Sequence, residues 1–379
     1  MASSSSTTTA PHSDLHSRSS IDPLRILAID VGAGTQDVLV YESGKSIENC
    51  VKLVLPSQTQ VVGARIRRAT RDAKAVCLVG SVMGGGESTA AIEAHIAVGL
   101  KLYATEDAAR SVHNDLGRVA ATGVLIVQSP PSGAEMIWTG DVDLHAMRAT
   151  LASFEVELPS MFAIAVQDHG HLPGSGGREF RYEFLQSLLE QGGELGSMAY
   201  RDPPDYMLRM HAILASVPGA IVMDTGAAAV LGVLGDPLVA EHALQSGAIL
   251  VNIGNMHTFA VALRGRRVFG LFEHHTGGIT PDVLRELVQR LSIGTLTHAD
   301  VVERGGHGAA FDPAFRDAGP FNFVAITGPN RRMAASLGYH EAVPHGDMML
   351  AGPYGLVEGT LGLLAREGFE TPVQSIAAS

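Results

Sequence analysis

Cysteine is almost absent. The 379-residue chain holds two, Cys50 and Cys77, which excludes a disulfide framework, zinc-finger spacing and an iron–sulfur triplet and fits a reducing cytosol. Charge is sparse as well. Charged residues make up 17% of the chain, and 27 Lys+Arg against 39 Asp+Glu leave a net charge of −12. With no basic cluster denser than Arg65, Arg67, Arg68 and Arg71, nucleic acid and anionic membrane surfaces are excluded as main partners. Long apolar runs are missing too. Asp224, Asp236 and Glu241 interrupt the longest stretches, so no uncharged run is long enough to span a bilayer. The first 20 residues carry eight Ser and three Thr with no apolar core, which is not a secretory signal. Residues 1–22 read as a disordered tail; a Ser-rich transit peptide is the alternative, opposed by Asp14 and by Arg18 standing alone. The expected location is the cytoplasm.

Glycine is abundant instead. Forty-three glycines amount to about 11% of the chain against roughly 7% in average usage, without the period of collagen. They are expected in tight turns and in loops that approach a ligand. With 46% apolar residues the chain can bury one large core or two.

Two segments carry the most information. Residues 24–41, LRILAIDVGAGTQDVLVY, read as two apolar strands around a glycine turn, and residues 249–263 repeat the pattern. In the first, Asp30 ends a strand, Gly32 and Gly34 follow, and then Thr35, Gln36 and Asp37. In the second, Asn252, Gly254, His257 and Thr258 give the same order: polar residue, spacer, glycine, and a threonine four residues on. Backbone N–H groups of such turns form anion nests, and a carboxylate at a strand end can hold magnesium through water. Elsewhere the pattern predicts an exposed basic helix in 63–73, helices in 89–103 and 106–120, a helix begun by Pro281, and a closing helix over AGPYGLVEGTLGLLAREG.

These strings resemble the actin/sugar kinase/Hsp70 superfamily of two-lobed ATPases. IDVGAGTQD is similar to its first phosphate loop, VNIGNMHT to its second, and ITGPN (326–330) stands where its adenosine loop does. AIDVGAGTQD, MGGG, VQDHG and AGPYGLVEG resemble, more closely, an uncharacterised family labelled pyruvate formate-lyase activating enzyme. A radical SAM activating enzyme needs three closely spaced cysteines for its cluster, and Cys50 and Cys77 cannot supply them. The 2-hydroxyacyl-CoA dehydratase activators, which bridge a cluster between subunits with two cysteines each, are a weaker resemblance. Two positions depart from the superfamily pattern: Asn252 replaces the usual Asp of the second loop, and Gly328-Pro329 replaces Gly-Gly.

The resemblance implies an α/β fold of two ribonuclease-H-like lobes around a central cleft. Lobe I is expected over 23–221 and lobe II over 222–351, with the closing helix 352–370 packed back on lobe I. ATP with Mg2+ would lie in the cleft. Gly32, Gly34, Thr35 and Gln36 would hold its phosphates and Asp30 would orient hydrated magnesium. Asn252, Gly254 and Thr258 would close from the other side, with Gly328 and Asn330 by the adenosine. Asp168, after the strand FAIAVQ, is a candidate general base or a cap for the next turn. His169 is a candidate substrate residue or a surface one. Gly84, Gly85 and Gly86 would bind a substrate anion at a helix start or serve close packing; no Lys stands where a P-loop needs one. Arg178 and Arg181 would pair with an anionic substrate or be solvated. His169/His171 and His274/His275 lack the spacing that puts two ligands on one helical face, which leaves a metal role open. The reading is an ATP-dependent phosphotransferase or ATPase acting on an unknown small molecule or protein; the alternative is a non-hydrolysing, nucleotide-dependent regulatory module.

Overall fold

The computed structural model describes residues 23–170 and 177–371. The tail 1–22, His171 and the side chain of Arg178 lie outside the described residues. The first sheet has the order β3-β2-β1-β8-β10-β9. Its strands are β1 Arg25–Val31, β2 Thr35–Glu42, β3 Val51–Pro56, β8 Met161–Val166, β9 Ala199–Tyr200 and β10 Ile221–Asp224. β1, β2 and β3 form an antiparallel meander, and β8 and β10 add in parallel on the other side of β1.

The second sheet repeats this plan in the order β14-β13-β12-β11-β15-β16. Here β11 is Ala248–Ile253, β12 His257–Arg264, β13 Arg267–His275, β14 Gly308–Phe311, β15 Phe323–Thr327 and β16 His340–Glu341. Again a meander (β11, β12, β13) is followed by parallel strands beside its first member. This duplicated order is that of two ribonuclease-H-like sheets, and it gives the chain its two-lobed, actin-like architecture. The first sheet continues through Asp224, so the divide expected between 221 and 222 cuts β10. Between β3 and β8 lies a third sheet, all parallel, of β4 Val76–Gly80, β5 Leu102–Thr105, β6 Leu125–Val127 and β7 Glu135–Thr139.

Burial on both faces explains the near-continuous apolar strands. Ile26, Ala28, Leu39 and Tyr41 face a core shared with helices Thr225–Val233 and Ala351–Arg366, while Leu27, Ile29, Val38 and Val40 face helix Leu208–Ser216. The closing helix packs on β1, β2, β8 and helix Thr225–Val233. It allows this because a Cβ on Gly232 would lie 1.8 Å from the Ala351 carbonyl oxygen, and one on Gly355 1.8 Å from that of Ala228. Among the described residues Met348–Arg366 is the one helical stretch long and apolar enough to cross a membrane by composition, and 72% of its apolar window is buried inside the protein.

Three local expectations change. The basic helix begins earlier, at Gln58, and runs to Arg71; Val62, Ile66 and Ala69 bury one face of it, leaving the arginines on the other. The helix expected over 89–103 ends at Ala97, because Gly99 takes φ +84° and the chain turns into β5. The one expected over 106–120 is two short helices, Glu106–Ala109 and Leu116–Ala121. The second restarts under Asp115, whose carboxylate accepts the N–H groups of Gly117 and Arg118.

Candidate functional site

The two glycine turns have the same construction. Gly32 N–H donates to the Thr35 carbonyl at 2.9 Å, and Gly254 N–H donates to the His257 carbonyl at 2.9 Å. Each turn joins the first two strands of its sheet, so the repeated topology puts both tips at equivalent places. They meet: a Cβ on Gly34 would lie 2.7 Å from Asn255 Nδ2. The first tip is fixed by Ser57 and Thr59, whose hydroxyls both donate to the Ala33 carbonyl. The second is fixed by Thr276 and Asn330, which both donate to the Gly254 carbonyl, while Thr258 bonds Thr276.

Residues expected to touch phosphate divide accordingly. Thr35 and Gln36 are already in the ladder of β2, and the Gln36 amide donates to Pro56. They shape the tip. Gly328, at φ +97°, lies so close to Asn252 and Ile253 that a Cβ would come within 2.6 Å of the Asn252 side-chain oxygen. It seats its loop beneath the second tip, and Asn330 secures it. Among Gly84, Gly85 and Gly86, the first abuts the Ser111 carbonyl. Gly86 would put a Cβ 3.4 Å from the Ala33 carbonyl, which brings this loop against the first tip.

Behind the first tip two carboxylates share one face of the hairpin, Asp30 opposite Asp37. Thr225 donates to Asp30 at 2.6 Å, and Asp30 also lies against the backbone of Gly352 in the closing helix. Burial, with the nearby Asp224 charge, raises Asp30 to about 7 despite the Thr225 bond. Burial and then Asp30 raise Asp37 to about 8, and Asp37 Oδ1 is buried without a hydrogen-bond partner. Asp37 was not among the expected site residues, although the hairpin register pairs it with Asp30.

Asp168, the candidate general base or cap, accepts backbone N–H groups on both carboxylate oxygens. Its Oδ1 accepts Gly170 N–H and its Oδ2 accepts the N–H groups of Arg209 and Met210, at 2.9, 2.9 and 3.1 Å. That arrangement caps helix Leu208–Ser216. Arg181 is neither solvated nor free for substrate: it is 1% exposed and paired with Asp224 and Glu273 at 2.8 and 2.7 Å.

His169 is not on the surface. Its ring packs with those of His257 and His307, centroids 4.8 and 4.9 Å away, and His275 lies beside His307 at 4.6 Å. Glu273 completes the group, held by Gln167 and Arg181 at 2.8 and 2.7 Å. Burial pushes His257 and His307 down to about 4 and His169 well below its ordinary value, so the rings are neutral at pH 7. Burial alone would raise Glu273, but Arg181 and the imidazoles bring it down to about 2. Sequence spacing gave no sign of this cluster, whose members come from the ends of β8, β12 and β13 and the residue before β14.

No curated protein matches the chain in sequence. Among solved structures it is similar to the ethanolamine utilization protein EutJ from Carboxydothermus hydrogenoformans, at 11% identity and TM-score 0.27, covering 89% of this chain and 90% of that one. It is also similar to a Ppx/GppA family member from Aquifex aeolicus, at 11% identity and TM-score 0.30, covering 90% and 91%. The PilM-PilN type IV pilus biogenesis complex gives 13% identity and TM-score 0.32, covering 88% and 98%. The fold assignment rests on the strand order above. In sequence, residues 83–333 match the family described as "Putative pyruvate format-lyase activating enzyme (DUF1786)", and over this span, more than half of its length, the chain belongs to that family.

Proposed function

We propose that this chain binds ATP with magnesium between the two hairpin tips and acts as an ATPase or phosphotransferase of the actin-like type. The observation that carries the reading is the pair of equivalent turns, closed by the same Gly N–H bond and meeting at Gly34 and Asn255. Because Gly32 and Gly254 spend their N–H groups on the turns, phosphate contacts fall to the amides at Ala33–Gly34 and Asn255–Met256. The donor set behind the first tip fits magnesium: two carboxylates share a face, one buried oxygen lacks a partner, and like charge is the strain a cation relieves. Asp30 and Asp37 would hold the ion, which would neutralise charge on the transferred phosphoryl group. Thr225 keeps Asp30 oriented.

A second reading is a module that closes on nucleotide without turnover. Asn252 in place of the usual Asp favours it, as does Asp168, whose oxygens cap a helix. Calorimetry with Mg-ATP, paired with phosphate release, separates the two. Binding weakened at least tenfold by Asp30→Asn, with steady release, supports the enzyme. Tight binding at zero turnover selects the module, and absence of both heat and thermal shift would falsify nucleotide binding.

The activity in the family's name does not fit these residues. Cys50 and Cys77 are both buried, one before β3 and the other inside β4, and burial raises both thiols. Thiols so placed cannot present thiolates to one iron–sulfur cluster.

A further inference from the structure

We infer that His169, His257 and His307, with Glu273, form a binding site for one divalent first-row transition metal, such as zinc or ferrous iron, joining the two lobes beside the second hairpin tip. The site is independent of the nucleotide reading. One ligand atom from each of the four residues lies within 4.8 Å of the others. A tetrahedral metal at its usual bond lengths of about 2.0–2.2 Å needs its ligands roughly 3.4 Å apart, so inward movements of under about 1 Å close the site.

Three further observations point to a cation. First, His169 Nε2, His257 Nε2 and both ring nitrogens of His307 are buried without a hydrogen-bond partner. A buried polar atom left unpaired costs free energy, and one metal ion takes up one such nitrogen from each of the three rings. Second, the charges call for a positive ion. Arg181 stands between Asp224 and Glu273, a buried group of one cation and two carboxylates. Third, Glu273 is oriented as a ligating carboxylate is, with Gln167 donating to one oxygen and Arg181 to the other.

The imidazoles choose the metal. Magnesium and calcium prefer all-oxygen shells, whereas imidazole suits zinc, iron, nickel and copper. The cluster therefore takes a different ion from the one expected at Asp30 and Asp37. His169 follows β8 of the first sheet, whereas His257 and Glu273 lie in β12 and β13 of the second and His307 immediately precedes its β14. Loading thus ties the lobes together. His257 is also the residue whose carbonyl closes the second tip, so the metal braces that turn. Four protein ligands fill a tetrahedral shell, the closed arrangement of a structural metal site.

The test uses the whole chain, stripped with chelator, and needs no nucleotide. Titration with Zn2+ is expected to give one ion per chain and a higher melting temperature, neither reproduced by Mg2+. Co2+ is expected to give the strong visible bands of four- or five-coordinate cobalt. His169→Ala and His307→Ala should each weaken Zn2+ binding by about a hundredfold, and Glu273→Gln by at least tenfold, with exposed His145→Ala unchanged. The proposal is overturned if folded wild-type protein binds no Zn2+ or gives only the weak spectrum of octahedral cobalt. Equal retention of the ion by the His169 and His307 variants overturns it too. Should those variants not fold, the wild-type cobalt spectrum decides.

Discussion

At Asp30 and Asp37 two carboxylates are kept under a covering helix, and burial with like charge moves them to about 7 and about 8. A carboxyl raised in the folded state favours folding at low pH, and stability is lost as pH climbs from the ordinary value of 3.8 through the folded value. The buried imidazoles act in the opposite sense: His257 and His307, held near 4, cost stability as pH falls below 6.5. Replacing Asp37 by Asn removes one raised acid while keeping the shape. Asp37→Asn is expected to increase the melting temperature by a few degrees at pH 8.5 and by much less at pH 5, and to abolish stabilisation by Mg2+. Scanning calorimetry at the two pH values checks this; equal shifts at both would remove the like-charge account. Asp30 was visible in the sequence because a strand ended on it before a glycine. Asp37 needed only the hairpin register, seven residues on. The histidine cluster was not visible, since its members span residues 169–307 and only the packing of two sheets brings them together. Asp168 stood where a base would, but which way its lone pairs point depends on helix Leu208–Ser216, some 40 residues away.

The elements most readable in the sequence were those with the strongest local signals. Both hairpins, the Pro281 helix start and the closing helix fall where apolar runs and glycine turns put them. The misread ones turned on a single backbone event: Gly99 at φ +84° ending a helix, and Asp115 starting a second. What no periodicity discloses is why the closing helix carries Gly352, Gly355 and Gly359. The structure gives the reason, because each abuts a neighbour: the Asp30 carboxylate, the Ala228 carbonyl and the Met223 sulfur. Gly355→Ala should therefore force apart the closing helix and Thr225–Val233, with a loss of about 3 kcal/mol or more on the scale of overpacked cores. Gly362 is on the same helix, but its Cβ would meet only the end of Arg366, at 3.5 Å. Gly362→Ala should be neutral or slightly stabilising, as alanine is the better helix former. Denaturant unfolding of the two variants tests the contact, and similar midpoints would show that the helices have room to spare.

For the molecule as a whole, the sheet duplication sets two homologous turns against each other and leaves the inserted parallel sheet beside the first tip, where Gly86 reaches Ala33. A ligand between the tips must therefore part Gly34 from Asn255 or lie alongside their contact. Either way the separation of these residues reports on occupancy. Both positions suit a covalent probe: Gly34 has no positive φ among the backbone exceptions, and the native thiols, Cys50 and Cys77, are buried. With Gly34→Cys and Asn255→Cys in one chain, a Cβ at 34 lies within reach of a sulfur at 255, given the 2.7 Å approach to the Asn255 amide. Oxidation is expected to join the tips and reduce Mg-ATP affinity at least tenfold, with dithiothreitol restoring it. Saturating Mg-ATP added first should slow the cross-link. If the oxidised protein binds nucleotide as the reduced one does, the nucleotide does not pass between the tips, and the cleft reading fails while the histidine site stands.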